Sequence, residues 1–255
     1  MINLKEKLRK NELTIGSWIT LGHSSIAEIM CQAAFDWLVV DMEHSAITLD
    51  QTQEIVRAIE LNGIVPLVRV GENNANLIKR VMDAGAHGVI VPMISCLDDA
   101  VKAVQAVKYP PYGTRGIGLA RAQGYGARFT EYKKWVNEES IVVAQIEHIK
   151  GVENLEDILN ADFIDAIIVG PYDLSGSLGI PGQFENPIFI DVLTRIKNTT
   201  RKLNKVLGYH EVSSDPNLLL QKIKEGYSFL AYSIDIMFLG ESCKSGLSII
   251  KDNLK

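Results

Sequence analysis

Short apolar runs of strand length alternate with segments of helical periodicity along most of this chain, and this alternation limits the choice of fold more than any other feature. The predicted strands are 14–21, 37–43, 65–70, 88–94, 141–147, 166–172, 205–211 and 228–235. Repeated β–α units require a parallel sheet, and eight units in 255 residues favour a closed (β/α)8 barrel, one domain over residues 1–255. An open doubly wound sheet is the alternative, but the chain lacks GxGxxG after the first strand and any GxxxxGK[ST].

Helices are predicted near the N-terminus and at 24–34, 49–61, 74–84, 97–107, 151–159, 187–203, 216–225 and 236–254, with Ser24 or Ser25 capping the first of these ranges. A long insertion at about 109–138 interrupts the pattern. It carries Arg115, Arg121 and Arg128 before a short helix at 130–136. A connection this long is typical of a lid or a partner-binding arm.

Composition narrows the functional class. Hydrophobic residues make up 47% of the chain and charged residues 22%, which is typical of a large packed core. The net charge of −5 argues against nucleic acid or an anionic membrane as the main partner. Cys31, Cys96 and Cys243 show neither metal-ligand nor disulfide spacing and are expected to be reduced, mostly packed thiols. No secretory signal or membrane-spanning run is visible, so the expected compartment is the cytoplasm.

Polar residues gather at the C-terminal ends of the predicted strands, where barrels of this type carry their chemistry. The apolar run 37–40 ends abruptly in Asp41, Glu43 and His44, which must lie at a rim because burying them unpaired would cost several kcal/mol. The other strand ends carry Arg69, Gln145, Glu147, Asp173, His210, Glu211, Ser233 and Asp235. The N-terminal ends carry few polar groups, and this asymmetry is the strongest argument for an enzyme.

Two carboxylates from adjacent strands suggest a metal site. Glu147 and Asp173 could converge, and two carboxylates with open positions suit a hard ion such as Mg²⁺ or Mn²⁺. The alternatives are solvated rim acids, or a glycosidase that uses the pair as acid and nucleophile. The glycosidase explains neither Arg69 nor the Asp41/His44 pair.

The remaining rim groups suggest acid–base and oxyanion chemistry. His44, beside two acids, is a candidate general base, and Arg69 could hold a carboxylate or a developing oxyanion. The structural alternatives are a rim histidine hydrogen-bonded to the barrel and an arginine that only pairs with Asp41 or Glu43. No lysine ends a predicted strand, which disfavours a Schiff-base mechanism.

Several motifs then resemble one family in order along the chain. They are DMEHS (41–45), PLVRV (66–70), VPMISCLDDA (91–100), YPPYGTRGIG (109–118), AQIEHIKGVENLEDI (144–158) and VGPYDLSGSLG (169–179). Together they resemble the class II 2-keto-3-deoxy-acid aldolases of the HpcH/HpaI family. The chain departs from the family pattern at 118–129, at Tyr172 and at Tyr209-His210-Glu211, which leaves the aldehyde product unspecified.

The resemblance implies a (β/α)8 barrel of the phosphoenolpyruvate/pyruvate-binding type whose last helix is exchanged between subunits, within a hexamer built as a trimer of dimers. It implies cleavage of a 4-hydroxy-2-oxo acid, such as a 2-keto-3-deoxy sugar acid, to pyruvate and an aldehyde through the pyruvate enolate. A divalent metal (Mg²⁺, Mn²⁺ or Co²⁺) would chelate the keto and carboxylate oxygens of pyruvate.

The resemblance also assigns roles to residues. Glu147 and Asp173 would hold the metal, Arg69 would stabilise the enolate oxygen, and His44, oriented by Asp41, would move the proton. On the pyruvate side it implies Gln145, Gly170 and Pro171, with backbone N–H groups around Tyr172 and Asp173 binding the carboxylate. Two alternatives stay within the superfamily, a citrate-lyase-like acyl-CoA lyase and an oxaloacetate decarboxylase. A third is a non-catalytic barrel that binds a sugar acid.

Overall fold

Eight parallel strands form a closed barrel in the computed structural model, which describes residues 2–254. The strands are β1 (Thr14–Ile19), β2 (Trp37–Asp41), β3 (Val65–Arg69), β4 (Gly88–Val91), β5 (Ile141–Ile146), β6 (Ala166–Val169), β7 (Val206–Glu211) and β8 (Phe229–Ile234). Each strand pairs with the next one in the sequence, and β8 pairs with β1. The predicted (β/α)8 architecture is confirmed, with most strands ending one to three residues earlier than predicted.

The helices lie between the strands in the expected order. They are α1 (Leu4–Arg9), α2 (Ser24–Cys31), α3 (Leu49–Leu61), α4 (Ala75–Ala84), α5 (Leu97–Val107), α6 (Phe129–Glu138), α7 (Ile149–Glu153), α8 (Leu155–Asn160), α9 (Pro171–Ser177), α10 (Pro187–Lys202), α11 (Pro216–Lys224) and α12 (Asp235–Asp252).

Three local predictions were wrong. The cap of α2 is His23, whose Nδ1 accepts the Ser25 N–H at 3.2 Å, so neither Ser24 nor Ser25 caps the helix. The helix predicted at 151–159 is divided into α7 and α8 at Asn154. The segment after β6, for which no helix was predicted, begins with a short helix, α9, because Pro171 at its first position favours helix initiation.

The barrel interior is apolar near its N-terminal end and polar near its C-terminal end. Side chains of a strand alternate between the two faces of the sheet, so Trp37, Val39 and Asp41 of β2 share the inward face. Trp37 and Val39 belong to the inner apolar cluster, which Leu4 and Leu8 of α1 also join. The same alternation gives every strand one inward position at the C-terminal end, and these positions form the topmost layer of the interior.

The insertion between α5 and α6 is tied to the outer helical layer by its arginines. Arg115 is almost fully buried, where its Nη2 donates to Asp83 Oδ1 at 2.5 Å and its Nη1 to the Tyr132 hydroxyl at 3.1 Å. Arg121 pairs with Glu60 and donates to the Ala84 carbonyl at the end of α4. These two cations are therefore used within the chain. A role of the insertion as lid or arm stays a prediction.

The C-terminal helix has little contact with the barrel. Asp235 is the only buried residue of α12. Large apolar side chains on α12 are exposed, namely Ile236, Leu239, Leu247, Ile249 and Ile250. Within residues 2–254, no helix is long and apolar enough to cross a bilayer.

Candidate active site

A buried ion pair, formed by Asp41 and Arg69, is the central feature of the C-terminal mouth. The two residues are direct partners in the register of β2 and β3, so both side chains point into the top layer of the interior. Arg69 Nε donates to Asp41 Oδ1 at 2.9 Å and Nη2 donates to Oδ2 at 2.7 Å. Burial alone would raise the pKa of Asp41, but the hydrogen bonds and charge of Arg69 outweigh it and hold this pKa below its usual value. The carboxylate is therefore ionised, and the guanidinium is fixed in place.

An aromatic layer supports the arginine. The guanidinium carbon of Arg69 lies 4.4 Å from the centroid of the Trp18 ring, which is a cation–π contact. The imidazole of His210 stacks on the same indole, with ring centroids 4.9 Å apart. Because Trp18 is buried, it leaves Arg69 little room to move.

Glu43, rather than Asp41, is the carboxylate beside the His44 imidazole. Asp41 Oδ1 accepts the backbone N–H groups of Glu43 (3.0 Å) and His44 (3.3 Å), so it shapes the loop. The expectation that Asp41 orients the imidazole is therefore corrected. His44 Nε2 lies 3.9 Å from Glu43 Oε2, and its side chain is 62% exposed. The ring is thus free to reach a substrate at the rim.

Glu147 is buried and held at both oxygens. Its Oε1 accepts the Met93 backbone N–H at 2.6 Å, and its Oε2 accepts a hydrogen bond from Gln145 Nε2. Met93 has a φ of 55°, a left-handed conformation that is unfavourable for this residue and aims its N–H at the carboxylate. A Cβ at Gly170 would lie 2.8 Å from Glu147 Oε2, so glycine is needed for the close approach of β6. Gln145 and Gly170 thus orient Glu147.

Asp173 brings a second carboxylate to the same region. It is exposed in the first turn of α9, after Pro171 and the exposed Tyr172. Burial raises the pKa of Glu147, and the nearby Asp173 raises it further, although hydrogen bonds from Gln145 and Met93 oppose this. Asp173 is thus close enough to Glu147 for its charge to act on that carboxylate.

Comparison with known proteins places this geometry in a family. The family model of HpcH/HpaI aldolase/citrate lyase matches residues 14–241. The chain belongs to this family. A relative, the 2-keto-3-deoxy-L-rhamnonate aldolase of Escherichia coli, is 34% identical over 249 residues, which cover 97% of this chain and 92% of that protein.

Solved structures of the HpcH/HpaI family agree with this result. A family protein from Burkholderia cenocepacia is 31% identical, with a TM-score of 0.93 over 98% of this chain and 100% of that one. The HpcH/HpaI aldolase of Desulfitobacterium hafniense is 29% identical, with a TM-score of 0.89 over 98% of this chain and 97% of that one. The protein is therefore an enzyme of the lyase class, as the sequence predicted.

The carboxylates of this HpcH/HpaI enzyme fit a divalent cation, on which the family depends. Burial raises the pKa of Glu43 to about 7; Arg69 opposes the shift, whereas Glu147, Asp41 and Asp173 add to it. Glu43 Oε2 lies 3.2 Å from Arg69 Nη1 but has no hydrogen-bond partner among the described residues. One guanidinium thus faces four carboxylates, an excess of negative charge that a divalent cation would relieve.

The protein would supply only part of the coordination shell. Within residues 2–254, no three acidic, histidine or cysteine side chains are arranged to hold one ion. Two carboxylates, with the remaining positions left to water and substrate oxygens, are a common arrangement for Mg²⁺ in enzymes. Glu147 and Asp173 match that donor set.

Asp235, at the end of β8, has a structural role. Asp235 Oδ2 accepts the N–H groups of Thr20 and Leu21, each at 2.8 Å, so it joins β8 to the segment after β1. His148 caps α7, and His87 pairs with Glu60, so both contacts are structural. Cysteines are free as predicted, but they are less packed than expected, since Cys243 is exposed.

Sequence reasoning missed two contributors to the site. Met93 acts through its backbone, and Trp18 supports Arg69. Glu43 was named as a rim acid beside His44, but its raised pKa depends on neighbours from distant parts of the chain. Nothing in the sequence indicates the left-handed conformation of Met93.

Proposed function

We propose that this chain catalyses the reversible aldol cleavage of a 4-hydroxy-2-oxo acid to pyruvate and an aldehyde, and that the natural substrate is a 2-keto-3-deoxy sugar acid. The main support is the fixed guanidinium of Arg69 in the mouth of the barrel. It lies beside several carboxylates, whose combined negative charge exceeds its single positive charge. The substrate class follows from the similarity to the rhamnonate aldolase, which spans 97% of the chain.

Glu147 and Asp173 would hold the divalent ion, with Mg²⁺, Mn²⁺ and Co²⁺ as candidates. When bound, such an ion supplies Lewis-acid chemistry that favours negative charge on the keto oxygen. The chain's own part is to keep Glu147 in position, which Gln145 and the Met93 N–H do. Because Glu147 is buried and already oriented, little reorganisation would accompany binding.

Arg69 is suited to stabilise the developing oxyanion. Its Nε and one Nη2 proton serve Asp41, and a guanidinium has five N–H donors, so donors remain for a substrate oxygen. A donor fixed before the reaction contributes more than one that must rotate into place. In the proposed complex, pyruvate lies against Arg69, Gln145, Gly170 and Pro171, and the N–H groups of Tyr172 and Asp173 bind its carboxylate.

His44 is the proposed general base. In the cleavage direction it takes the proton of the C4 hydroxyl, directly or through a water molecule, while the C3–C4 bond breaks and its electrons pass to the enolate. C3 is then protonated to give pyruvate. A positioned base of this kind contributes roughly 10²–10⁴-fold in rate. Asp41 acts on this step through the loop backbone and through Arg69.

A hexamer, built as a trimer of dimers with exchanged last helices, is proposed for the assembly. The exposed apolar side chains of α12 support it, because surfaces of this kind are usually covered by a partner. Light scattering would then give six chains of 28.2 kDa.

Pyruvate release tests the proposed chemistry. Incubating the protein with Mg²⁺, Mn²⁺ or Co²⁺ and 2-keto-3-deoxy acids, with pyruvate followed through a coupled dehydrogenase, should show release that EDTA abolishes. His44→Ala should lower kcat at least about 100-fold. His87→Ala, at the opposite end of the barrel, is the matched control and should leave kcat unchanged.

Three other outcomes would contradict this proposal. Release that persists in EDTA and is trapped by borohydride would indicate a lysine imine. Activity on oxaloacetate alone would indicate a decarboxylase. No release or proton exchange with any metal would indicate a binding protein.

A further inference from the structure

His210 lies beside the proposed reaction centre but has no part in the chemistry described above. It follows Val206 and Gly208 on the inward face of β7, so it belongs to the same top layer as Asp41 and Arg69. Its ring stacks on Trp18, the indole that supports Arg69. An imidazole at this position places two polar nitrogen atoms in a layer that is otherwise packed around the arginine.

One ring nitrogen of His210 is left without a partner. His210 Nε2 lies 3.1 Å from the Ser233 carbonyl oxygen, and because a carbonyl only accepts, Nε2 must carry the proton. Burial lowers the pKa of His210 to about 4, so the ring is neutral near pH 7 and Nδ1 keeps its lone pair. In the part of the chain that the structure describes, no group donates to Nδ1.

A cavity of about 660 Å³ borders His210. His210, Pro171 and Tyr172 form part of its wall, and it extends between α10 and α11. Pro171 and Tyr172 adjoin the carboxylate Asp173, so the cavity opens beside the reacting end of the proposed substrate. Its volume lies in the range of small-molecule sites and leaves room for a chain of several carbon atoms beyond C4.

We infer that His210 Nδ1 accepts a hydrogen bond from a hydroxyl group on the aldehyde portion of the substrate, and that this subsite favours hydroxylated over plain aldehydes. The inference rests on the proposed function, because it assumes that the aldehyde is released at this mouth. A hydroxyl donor pairs with Nδ1, whereas a methylene group in its place excludes water and leaves Nδ1 desolvated and unpaired.

Two aldehydes that differ by one hydroxyl group test this subsite. Pyruvate is added to lactaldehyde and to propanal with the Mn²⁺-loaded enzyme, and the ratio of the two kcat/KM values is measured. His210→Phe keeps a ring to stack on Trp18 and removes the acceptor, and the ratio should fall about tenfold. His210→Gln keeps a side-chain acceptor and should stay within about threefold of the wild type. His87→Phe is the matched control and should leave the ratio unchanged.

The ratio separates specificity from structural support. Damage to the Trp18–Arg69 stack would slow both aldehydes equally and leave the ratio unchanged, a result that overturns the inference. If His210→Phe does not fold, His210→Leu is the second variant without an acceptor, and the same fall is expected.

Exchange of the pyruvate methyl protons in D₂O, followed by NMR without any aldehyde, separates the two proposals. Exchange with an unchanged ratio refutes the role of His210 alone. Absence of exchange in the wild type refutes the proposed function, and the subsite with it.

Discussion

Gly170 offers a sharp test of how Glu147 is positioned. Gly170 has a φ of −92°, so alanine fits the backbone and the substitution Gly170→Ala acts only through its added methyl group. That Cβ would lie 2.8 Å from Glu147 Oε2 and 3.1 Å from Glu147 Cβ. The Glu147 side chain cannot move without weakening a hydrogen bond, because Met93 and Gln145 donate to its two oxygens. Its carboxylate must therefore move away from the proposed metal position.

The expected effect follows from the contacts that would be broken. A hydrogen bond to a charged group contributes about 1.5–3 kcal/mol, and changes around metal ligands commonly weaken metal binding by about 10–100-fold. We expect Mn²⁺ affinity of Gly170→Ala to fall within that range, which corresponds to about 1.4–2.8 kcal/mol.

Calorimetric titration with Mn²⁺ measures this effect, and Gly176→Ala is the matched control. Gly176 lies in α9, where an added Cβ would meet no heavy atom within 4 Å. The control should bind Mn²⁺ like the wild type, with its helix stabilised by up to about 1 kcal/mol. A folded Gly170→Ala protein with wild-type affinity would show that the position of Glu147 does not govern metal binding.

Two further predictions concern stability. Asp41→Asn keeps the loop contacts but places an amide N–H₂ against Arg69, so the free energy of unfolding in guanidinium chloride should fall by about 3 kcal/mol; a loss below about 1 kcal/mol would contradict the buried pair. The neighbouring His87 imidazole, 3.6 Å away, and the pairing with Arg121 lower the pKa of Glu60 to about 2, so its contribution to stability is present above pH 4.5 and is lost as the pH falls towards 2. Glu60→Gln should therefore lose less stability than the wild type between pH 5 and 3, and parallel acid-unfolding curves would contradict this.

Most of the fold could be predicted because it depends on periodicity. The bounds of α3 and α5, Leu49–Leu61 and Leu97–Val107, agree with the predicted ranges, since their apolar residues recur at helical spacing. The predicted strand ends were less accurate. Glu43 and Glu147 were counted as strand residues, but the hydrogen-bonded ladder ends before each of them. The helix α9 was missed because Gly176 and Gly179 suggested a loop.

The partners of the site residues were harder to predict. The family resemblance implied that Asp41 orients the side chain of His44. In the barrel, Asp41 faces inward and finds Arg69 on the neighbouring strand, whereas His44 lies on the rim. Arg115 and Arg121 of the insertion are likewise paired within the chain, with Asp83 and Glu60. Such pairings depend on the packing of distant segments, which a local sequence pattern does not contain.

The most direct test of the proposed chemistry is a crystal of the protein grown with Mn²⁺ and pyruvate, with anomalous scattering used to locate the metal. We expect an anomalous peak ligated by Glu147 and Asp173, with pyruvate against it and an oxygen of pyruvate within hydrogen-bond distance of Arg69. A peak elsewhere, or pyruvate bound away from both carboxylates, would contradict the proposed chemistry.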